Sequence, residues 1–371
     1  MRILHVALGT SRKLGGPTTL LRGLLPVQRE RGHEVTIVAT DMGAETPADR
    51  EVEGARARIL PLVGPGRLCY GRGMRGVLRE EVARADVVHL HGVYGLIIIE
   101  AMRAARRADV PYLVAPHGVW TPNHAPNNPA LNSAWDRLLL VPLMKDAHRV
   151  VADSGRDAGY LRERGFERVT DMALGVDPAL HLIDTPWPER RGVLFLSRVA
   201  RKKRVDLAIE AYAGSRLWEQ GHRLTVAGPI EPGLPYDPRE LAARLGIAAH
   251  VDFVGAVEER ERRELLARQR VFILASDDES FGIAVAEAAS AGMAVVSSDR
   301  VVAMLDAEHD GAARTFPQDS AVLAKALRAA ASDDGADAAA TLRDYARARW
   351  TWEHAAQQIE EMVASPQTTS R

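Results

Sequence analysis

The chain has 371 residues, enough for two domains that each bury a core of their own. Its formal net charge of -1 argues against a nucleic-acid partner held by bulk electrostatics. Cys69 is the only cysteine, which excludes an internal disulfide and fits a cytoplasmic protein. The sequence has no apolar run near the ~20 residues that a membrane-spanning helix needs. We therefore expect at most a peripheral contact with the inner face of a membrane, through the slightly basic first half.

Short apolar runs alternate with amphipathic stretches of helical length along the first half of the chain. Strands are predicted at Ile3–Leu8, Val35–Ala39, Asp86–Leu90, Tyr112–Ala115 and Val150–Ala152. Helices are predicted between them at Thr18–Arg31, Gly95–Arg107 and Asp157–Arg164. Fully apolar strands that are separated by helices are typical of parallel sheets with both faces covered.

The same alternation restarts in the second half. Strands are predicted at Val193–Leu196, Leu224–Ala227, Val251–Val254, Val271–Leu274 and Ala294–Ser297, and helices at Val205–Ala213, Arg239–Leu245, Glu259–Arg268, Gly282–Ala291 and Thr351–Val363. The stretch Asp184–Gly192 is rich in proline and charge and is the best candidate linker. The expected fold class is therefore α/β, with two Rossmann-like, doubly wound domains, 1–184 and 185–349, that face each other across a ligand-binding cleft. Residues 365–371 are expected to form a flexible tail.

The most informative motif is Ser276–Ala291, SDDESFGIAVAEAASA, which follows an apolar strand. The loop turns at Gly282, and the amides of Gly282 and Ile283 at the helix start are suited to bind an anion such as a diphosphate. Glu287 lies on the Ala-rich helix, where a carboxylate is costly unless it is hydrogen-bonded. The hydroxyls of a ribose would satisfy Glu287, and Glu279 in the loop would bond the hydroxyls of a sugar.

The spacing E-x-F-G-x-x-x-x-E-A around Phe281 resembles the Glu-x7-Glu signature of retaining glycosyltransferases with the GT-B fold, and the chain resembles family 4 from Met1 to about Val363. The resemblance implies that Glu287 holds the donor ribose and that Glu279 contacts the donor sugar. It also implies that Phe281, Gly282 and Ile283 form the donor-binding segment, whose amides meet the phosphates. Residues 350–364 are expected to cross back onto the first domain. No cofactor is expected, because the nucleotide sugar is the substrate.

The acidic run Asp277-Asp278-Glu279 also permits a metal site, since clustered carboxylates bind hard cations. Another glycosyltransferase fold uses an Asp-x-Asp metal site. In this chain the acids lie in the second domain, beside a helix start that already suits an anion. We therefore expect no metal. The alternative is that neither glutamate binds a ligand, so that Glu279 is a solvated loop acid and Glu287 is a surface residue of the helix.

A basic segment, SRVARKKRVD, follows the strand at Val193–Leu196. Arg198 at the strand end has the planar fork that takes two phosphate oxygens, and Lys203 adds a compact point charge. The resemblance assigns both residues to the donor diphosphate, although Lys202 is an alternative to Lys203. The segment departs from the family pattern at Ser197 and Arg204, where glycine is usual.

The first half adds weaker candidates. The Gly15-Gly16 turn resembles the family loop whose backbone approaches the donor phosphates, so Gly16 is assigned to donor binding. His117 follows the strand Tyr112–Ala115, and the resemblance places it near the donor sugar, in a catalytic role with Glu279, Arg198 and Lys203. His89 and His91 share one strand face and offer two metal ligands, but no cysteine or carboxylate completes a set.

The Pro/Asn-rich stretch Trp120–Trp135 has aromatic ends that would stack on a sugar acceptor. The predicted function is transfer of a sugar, with retention of configuration, from a nucleoside-diphosphate donor to a hydroxyl of a glycan or glycolipid intermediate in bacterial surface polysaccharide synthesis. The alternatives are a sugar-nucleotide epimerase of the same fold and a nucleotide-sugar-binding protein without transferase activity. A nicotinamide-dependent oxidoreductase is disfavoured because no G-x-G-x-x-G follows the first strand.

Overall fold

The computed structural model describes residues 1–120 and 135–365. The chain forms two compact units: residues 1–175 together with the chain from Trp352 onward, and Val176–Thr351. The change from the first unit to the second thus lies before the stretch Asp184–Gly192. The predicted α/β class is confirmed, because each unit is a parallel sheet flanked by helices.

The first unit contains a seven-stranded sheet in the order β3-β2-β1-β4-β5-β6-β7. Its strands are β1 Arg2–Gly9, β2 Glu34–Thr40, β3 Arg56–Leu60, β4 Val87–His91, β5 Tyr112–Ala115, β6 Arg149–Ala152 and β7 Val169–Asp171. Its helices are α1 Gly16–Glu30, α2 Met74–Arg84, α3 Leu96–Ala108, α4 Val141–Lys145 and α5 Gly155–Glu163. The order changes direction between β1 and β4, the place where ligands bind in doubly wound sheets.

The second unit contains a five-stranded parallel sheet in the order β10-β9-β8-β11-β12. Its strands are β8 Val193–Leu196, β9 Leu224–Ala227, β10 Val251–Gly255, β11 Val271–Leu274 and β12 Ala294–Ser297. Its helices are α6 Pro178–His181, α7 Val205–Ser215, α8 Pro238–Arg244, α9 Glu259–Arg268, α10 Ile283–Ser290, α11 Val302–His309, α12 Ser320–Ala331 and α13 Asp334–Arg349. The central strands β8 and β11 are wholly apolar and buried, as a sheet covered on both faces requires.

The last helix, α14 Trp352–Ala364, belongs to the first unit and packs against α1. A side chain at Gly23 of α1 would put its Cβ 2.0 Å from the ring of Trp352, so the two helices approach this closely only because residue 23 is glycine. At the other end, both oxygens of Glu360 accept hydrogen bonds of 2.7 Å from Arg31. The last helix is therefore fixed to the first unit by packing and by charge.

The strand register brings histidines together on one face of the first sheet. His5 of β1 pairs with His89 of β4, and Ala7 pairs with His91. Because alternate residues of a strand share a face, His5, His89 and His91 all point to the same side. His89 and His91 were predicted to offer two metal ligands, and the strand register adds His5 as a third potential ligand.

Candidate active site

The loop after β11 turns into α10 at Gly282, which has a φ of 103°. A Cβ at Gly282 would lie 2.6 Å from a methyl carbon of Val301, so both the backbone conformation and the space require glycine. Phe281 is buried and meets Trp350 edge to face, with ring centroids 5.9 Å apart. The helical hydrogen bonds begin with the amide of Val285, which donates to Gly282. The amides of Gly282 and Ile283 therefore precede the first helical hydrogen bond, at the positive end of α10.

Glu279 and Lys203 form an ion pair in the structure, although 76 residues separate them in the chain. The same Glu279 oxygen accepts a hydrogen bond of 2.6 Å from Ser276 Oγ. The side chains of Lys203 and Glu279 are only 13% and 12% exposed. In addition, the amide of Asp277 donates to the carbonyl of Lys202 at 2.8 Å, which joins the two loops through their backbones. The acidic loop and the basic segment after β8 thus form one local structure.

Asp277, in the same loop, has polar partners of its own. Asp277 accepts hydrogen bonds from Arg204, at 3.2 Å, and from Gln318 Nε2, at 3.0 Å. Arg204 itself adopts a left-handed conformation with a φ of 50°, at the position where the family pattern has glycine. The departure noted in the sequence therefore has a structural consequence, because the arginine that replaces glycine binds the acidic loop.

Glu287 lies on α10 and is 5% exposed. Burial raises the pKa of its carboxyl group, while the guanidinium of Arg262 opposes that rise by ion pairing and hydrogen bonding. Arg262 lies on α9, whose sequence is ERERRELLAR. This helix carries so many charges that the sequence does not distinguish Arg262 from its neighbouring arginines. The structure thus pairs the predicted ribose ligand with a cation that sequence reasoning missed.

Arg198 lies just after β8 and forms an ion pair with Glu231, and its side chain is 60% exposed. Within the described residues, Lys203 contacts Glu279 and Arg198 does not. The two predicted phosphate ligands therefore differ in their partners and in their exposure to solvent. Lys203 is held against the loop that starts α10, whereas Arg198 extends towards solvent.

In the first unit, Gly15 and Gly16 are exposed at the start of α1, where Gly15 has a φ of 79°. His117 follows β5 and has a φ of 55°, a strained value for a residue with a side chain. Both of its ring nitrogens have partners: Nδ1 lies 3.0 Å from Asp153 Oδ1, and Nε2 lies 3.3 Å from His91 Nδ1. The ring is therefore directed into the unit, and its catalytic assignment stays a prediction.

Of the predicted acceptor loop Trp120–Trp135, residues 121–134 lie outside the described residues. Its first aromatic end is well held: Trp120 Nε1 donates to Asp136 Oδ2 at 2.8 Å, and Tyr94 donates to Asp136 Oδ1 at the same distance. His117, Trp120, Asp153 and Tyr160 line one small hollow. An aromatic surface therefore adjoins the histidine at this edge of the first sheet.

Comparison with protein families accounts for nearly the whole chain. Residues 14–180 match the family described as "Glycosyltransferase Family 4", and residues 184–349 match "Glycosyl transferases group 1". The chain is a family 4 glycosyltransferase with the GT-B fold. The predicted family, fold and enzyme class are thereby confirmed.

Individual relatives are distant but cover most of this glycosyltransferase. It is 23% identical over 303 residues to the GDP-mannose:cellobiosyl-diphosphopolyprenol alpha-mannosyltransferase of Komagataeibacter xylinus, covering 81% of this chain and 76% of the relative. It is 27% identical over 360 residues to the phosphatidyl-myo-inositol mannosyltransferase of Mycolicibacterium smegmatis, covering 93% and 89%. The crystal structure of Anabaena HepE in complex with UDP superposes with a TM-score of 0.77 at 20% identity, over 99% of this chain and 100% of that one. In the described part of this glycosyltransferase, no helix is long and apolar enough to cross a membrane.

Proposed function

We propose that this glycosyltransferase moves a sugar from a nucleoside-diphosphate donor to a hydroxyl group of a glycan or lipid-linked glycan, with retention of the anomeric configuration. The observation that carries the proposal is the arrangement along α10. Glu279 and Lys203 are in contact just before the start of the helix, and Glu287 is buried one turn inside it. A nucleotide sugar that lies along these residues would place its sugar at Glu279, its diphosphate at Lys203 and the start of α10, and its ribose at Glu287.

The diphosphate is proposed to bind at the start of α10. The amides of Gly282 and Ile283 supply donors, and Lys203 supplies a charge that exchanges its bond with Glu279 for one with a phosphate oxygen. As the leaving nucleotide gains charge, these groups stabilise it without a metal ion, and Arg198 adds a second cation when it leaves Glu231. Glu279, released from Lys203, then accepts hydrogen bonds from the sugar hydroxyls.

Glu287 is proposed to bind the ribose. Its burial makes the carboxylate costly, and among the described residues the paired cation that offsets that cost is Arg262. Two ribose hydroxyls would satisfy the remaining lone pairs. Arg262 would then keep the carboxylate charged at neutral pH, which makes it a positioning residue for donor binding.

The acceptor is proposed to be anionic and lipid-linked, which is the chemistry that the names of the two curated mannosyltransferases describe for those proteins. A groove between α2 and α3 supports this in the first unit. It is lined by Arg75, Arg79, Arg103 and Arg107, with Glu100 as the acid among them. Such a surface attracts the anionic headgroups of a membrane face, so peripheral contact is proposed there. Surface polysaccharide synthesis is the proposed setting.

The donor assignment is tested by thermal unfolding of the full chain with a panel of nucleoside diphosphates and nucleotide sugars. A ligand that binds only the native protein stabilises it by about 2.7 kcal/mol at a concentration 100 times its Kd. Glu287→Gln is expected to weaken nucleotide affinity about 10- to 100-fold, because hydrogen bonds to a charged acceptor are lost. Glu264→Gln is the matched control, since Glu264 is an exposed glutamate of α9 paired with Arg260. Equal affinity in both variants would refute the ribose assignment.

A further inference from the structure

A continuous chain of hydrogen bonds runs through the interior of the first unit. Gln28 Oε1 of α1 lies 2.8 Å from His5 Nε2, and His5 Nδ1 lies 2.9 Å from His91 Nε2. His91 Nδ1 lies 3.3 Å from His117 Nε2, and His117 Nδ1 lies 3.0 Å from Asp153 Oδ1. The chain thus crosses from α1 through β1 and β4 to the residues that follow β5 and β6. Gln28, His5, His91 and Asp153 are all buried.

The three histidine rings that form this hydrogen-bonded chain are nearly coplanar and lie in line. The His5 and His91 rings are inclined by 18° with centroids 5.2 Å apart, and the His91 and His117 rings by 8° with centroids 5.5 Å apart. Each centroid distance exceeds the nitrogen-to-nitrogen distance only by the two radii from ring centre to nitrogen. The nitrogens therefore lie on the line between the centroids, and each lone pair points at the neighbouring ring's N–H.

That geometry decides between a hydrogen-bonded chain and a metal site. In the described residues, His5, His89 and His91 are the one group of three potential ligands close enough to share an ion. A metal needs lone pairs that converge on a point beside the rings, at about 2.0–2.1 Å for zinc. Here the lone pairs of His5 and His91 are directed along their mutual hydrogen bond. His89 lies beside the chain, with its ring centroid 4.2 Å from that of His91.

The direction of the hydrogen-bonded chain is set by its charged end, at Asp153. The Asp153 carboxylate accepts, so His117 Nδ1 carries a proton, and the Nε2 of a neutral His117 is then a bare acceptor. His91 must donate to it from Nδ1, and His5 must donate to His91 in the same way. The bare Nε2 of His5 then needs a donor, whereas the Gln28 oxygen faces it in the structure, so this direction requires the Gln28 amide to be turned by half, with its N–H donating to His5. Burial lowers the pKa of both His5 and His91, which favours neutral rings.

We propose that Gln28, His5 and His91 are positioning residues that fix the tautomer and the plane of the His117 ring through a one-directional chain of hydrogen bonds ending on Asp153. The link to catalysis rests on the proposed function, because it takes His117 as part of the transfer site. The chain holds His117 in its strained backbone conformation beside Trp120. It also occupies His117 Nε2, so the ring acts by its fixed position rather than as a general base.

The test is nitrogen NMR of the full chain with 15N-labelled histidine, which distinguishes a protonated from a bare ring nitrogen. His5, His91 and His117 are all expected as the Nδ1–H tautomer. Asp153→Leu removes the terminal acceptor and frees the chain to reverse, so His5, three rings away, is expected to shift to the Nε2–H tautomer and donate to Gln28 Oε1. Asp171→Asn, at the end of β7, is the control and should leave His5 unchanged.

If Asp153→Leu does not fold, Gln28→Glu serves instead. It places an acceptor at each end of the chain, so one ring is expected to take up a proton and show both nitrogens protonated. An Nε2–H tautomer at His5, His91 or His117 in the wild-type chain would overturn the proposal. So would a His5 tautomer that neither variant moves, or a shift of the His5, His89 and His91 signals with one equivalent of zinc. These readouts need no donor or acceptor. Absence of nucleotide-sugar binding would therefore refute the proposed function and leave the tautomer result standing.

Discussion

Acidification is expected to destabilise the first unit well before its carboxylates protonate. Burial lowers the pKa of His5 from 6.5 to about 4, and the pKa values of His89 and His91 are also lowered by burial. A histidine whose pKa is depressed in the folded state binds fewer protons there than in the unfolded chain. Stability is therefore unaffected above the unfolded pKa and falls as pH drops from about 6.5 towards the folded value.

The magnitude follows from the His5 shift. At pH 5 an unfolded His5 is almost fully protonated and the folded one is not, so the difference lowers the free energy of unfolding by about 2 kcal/mol. His89 and His91 act with the same sign. The effect is largest in the first unit, because the second unit contains one buried histidine of lowered pKa, His222, among its described residues.

Hydrogen exchange resolved by peptide measures the two units separately. After correction for the intrinsic exchange rate at each pH, the opening free energy of β1 should fall between pH 7.5 and pH 5 by at least about 2 kcal/mol. The strand β8 of the second unit should fall by less. His5→Phe, although less stable overall, should show a shallower pH dependence in β1. Equal slopes in β1 and β8, or in the wild type and this variant, would refute the reasoning.

Three substitutions test particular contacts. Gly282→Ala is expected to destabilise the second unit by about 1–3 kcal/mol, measured by urea unfolding, because a left-handed alanine would collide with Val301. An unchanged midpoint would contradict this. Lys203→Met should cost about 2 kcal/mol by leaving Glu279 without its cation, and calorimetry should show weaker diphosphate binding. Unaltered binding would exclude Lys203 from the site. Glu360→Gln should loosen the last helix by about 1 kcal/mol, seen as faster hydrogen exchange there and not in β8.

Much of the fold follows from hydrophobic periodicity. The bounds of β5, β8, β9, β11 and β12 agree with the predictions to the residue, because each of these parallel strands is a short and mostly apolar run. Two strands of the first sheet, the edge strands β3 and β7, were not predicted. β3 reads RARIL, in which charged residues alternate with apolar ones, and an edge strand needs only one apolar face.

The site was predictable only in part, because many of its contacts join elements that are far apart in the sequence. Glu279, Gly282 and Glu287 stand in one short segment, so their spacing was visible in the sequence. Their partners come from other elements. Arg262 lies within a uniformly charged helix and was indistinguishable from its neighbours. The contacts of His5 with His91 and Gln28 depend on strand register and helix packing, which sequence spacing does not specify.

The central claim is that the protein transfers a sugar from a nucleotide sugar with retention of configuration. The configuration of the sugar released from the donor tests this claim most directly. The full chain is incubated with the nucleotide sugar that stabilises it most, without an added acceptor, so that water serves as the hydroxyl group. Early NMR spectra record the free sugar before its anomers equilibrate. Slow release of the nucleoside diphosphate, with a first-formed sugar of the donor's own anomeric configuration, is the predicted result, and Glu287→Gln should abolish it at low donor concentration. A sugar of the opposite configuration would contradict retention. A new sugar nucleotide formed without released diphosphate would identify an epimerase and contradict the account as a whole.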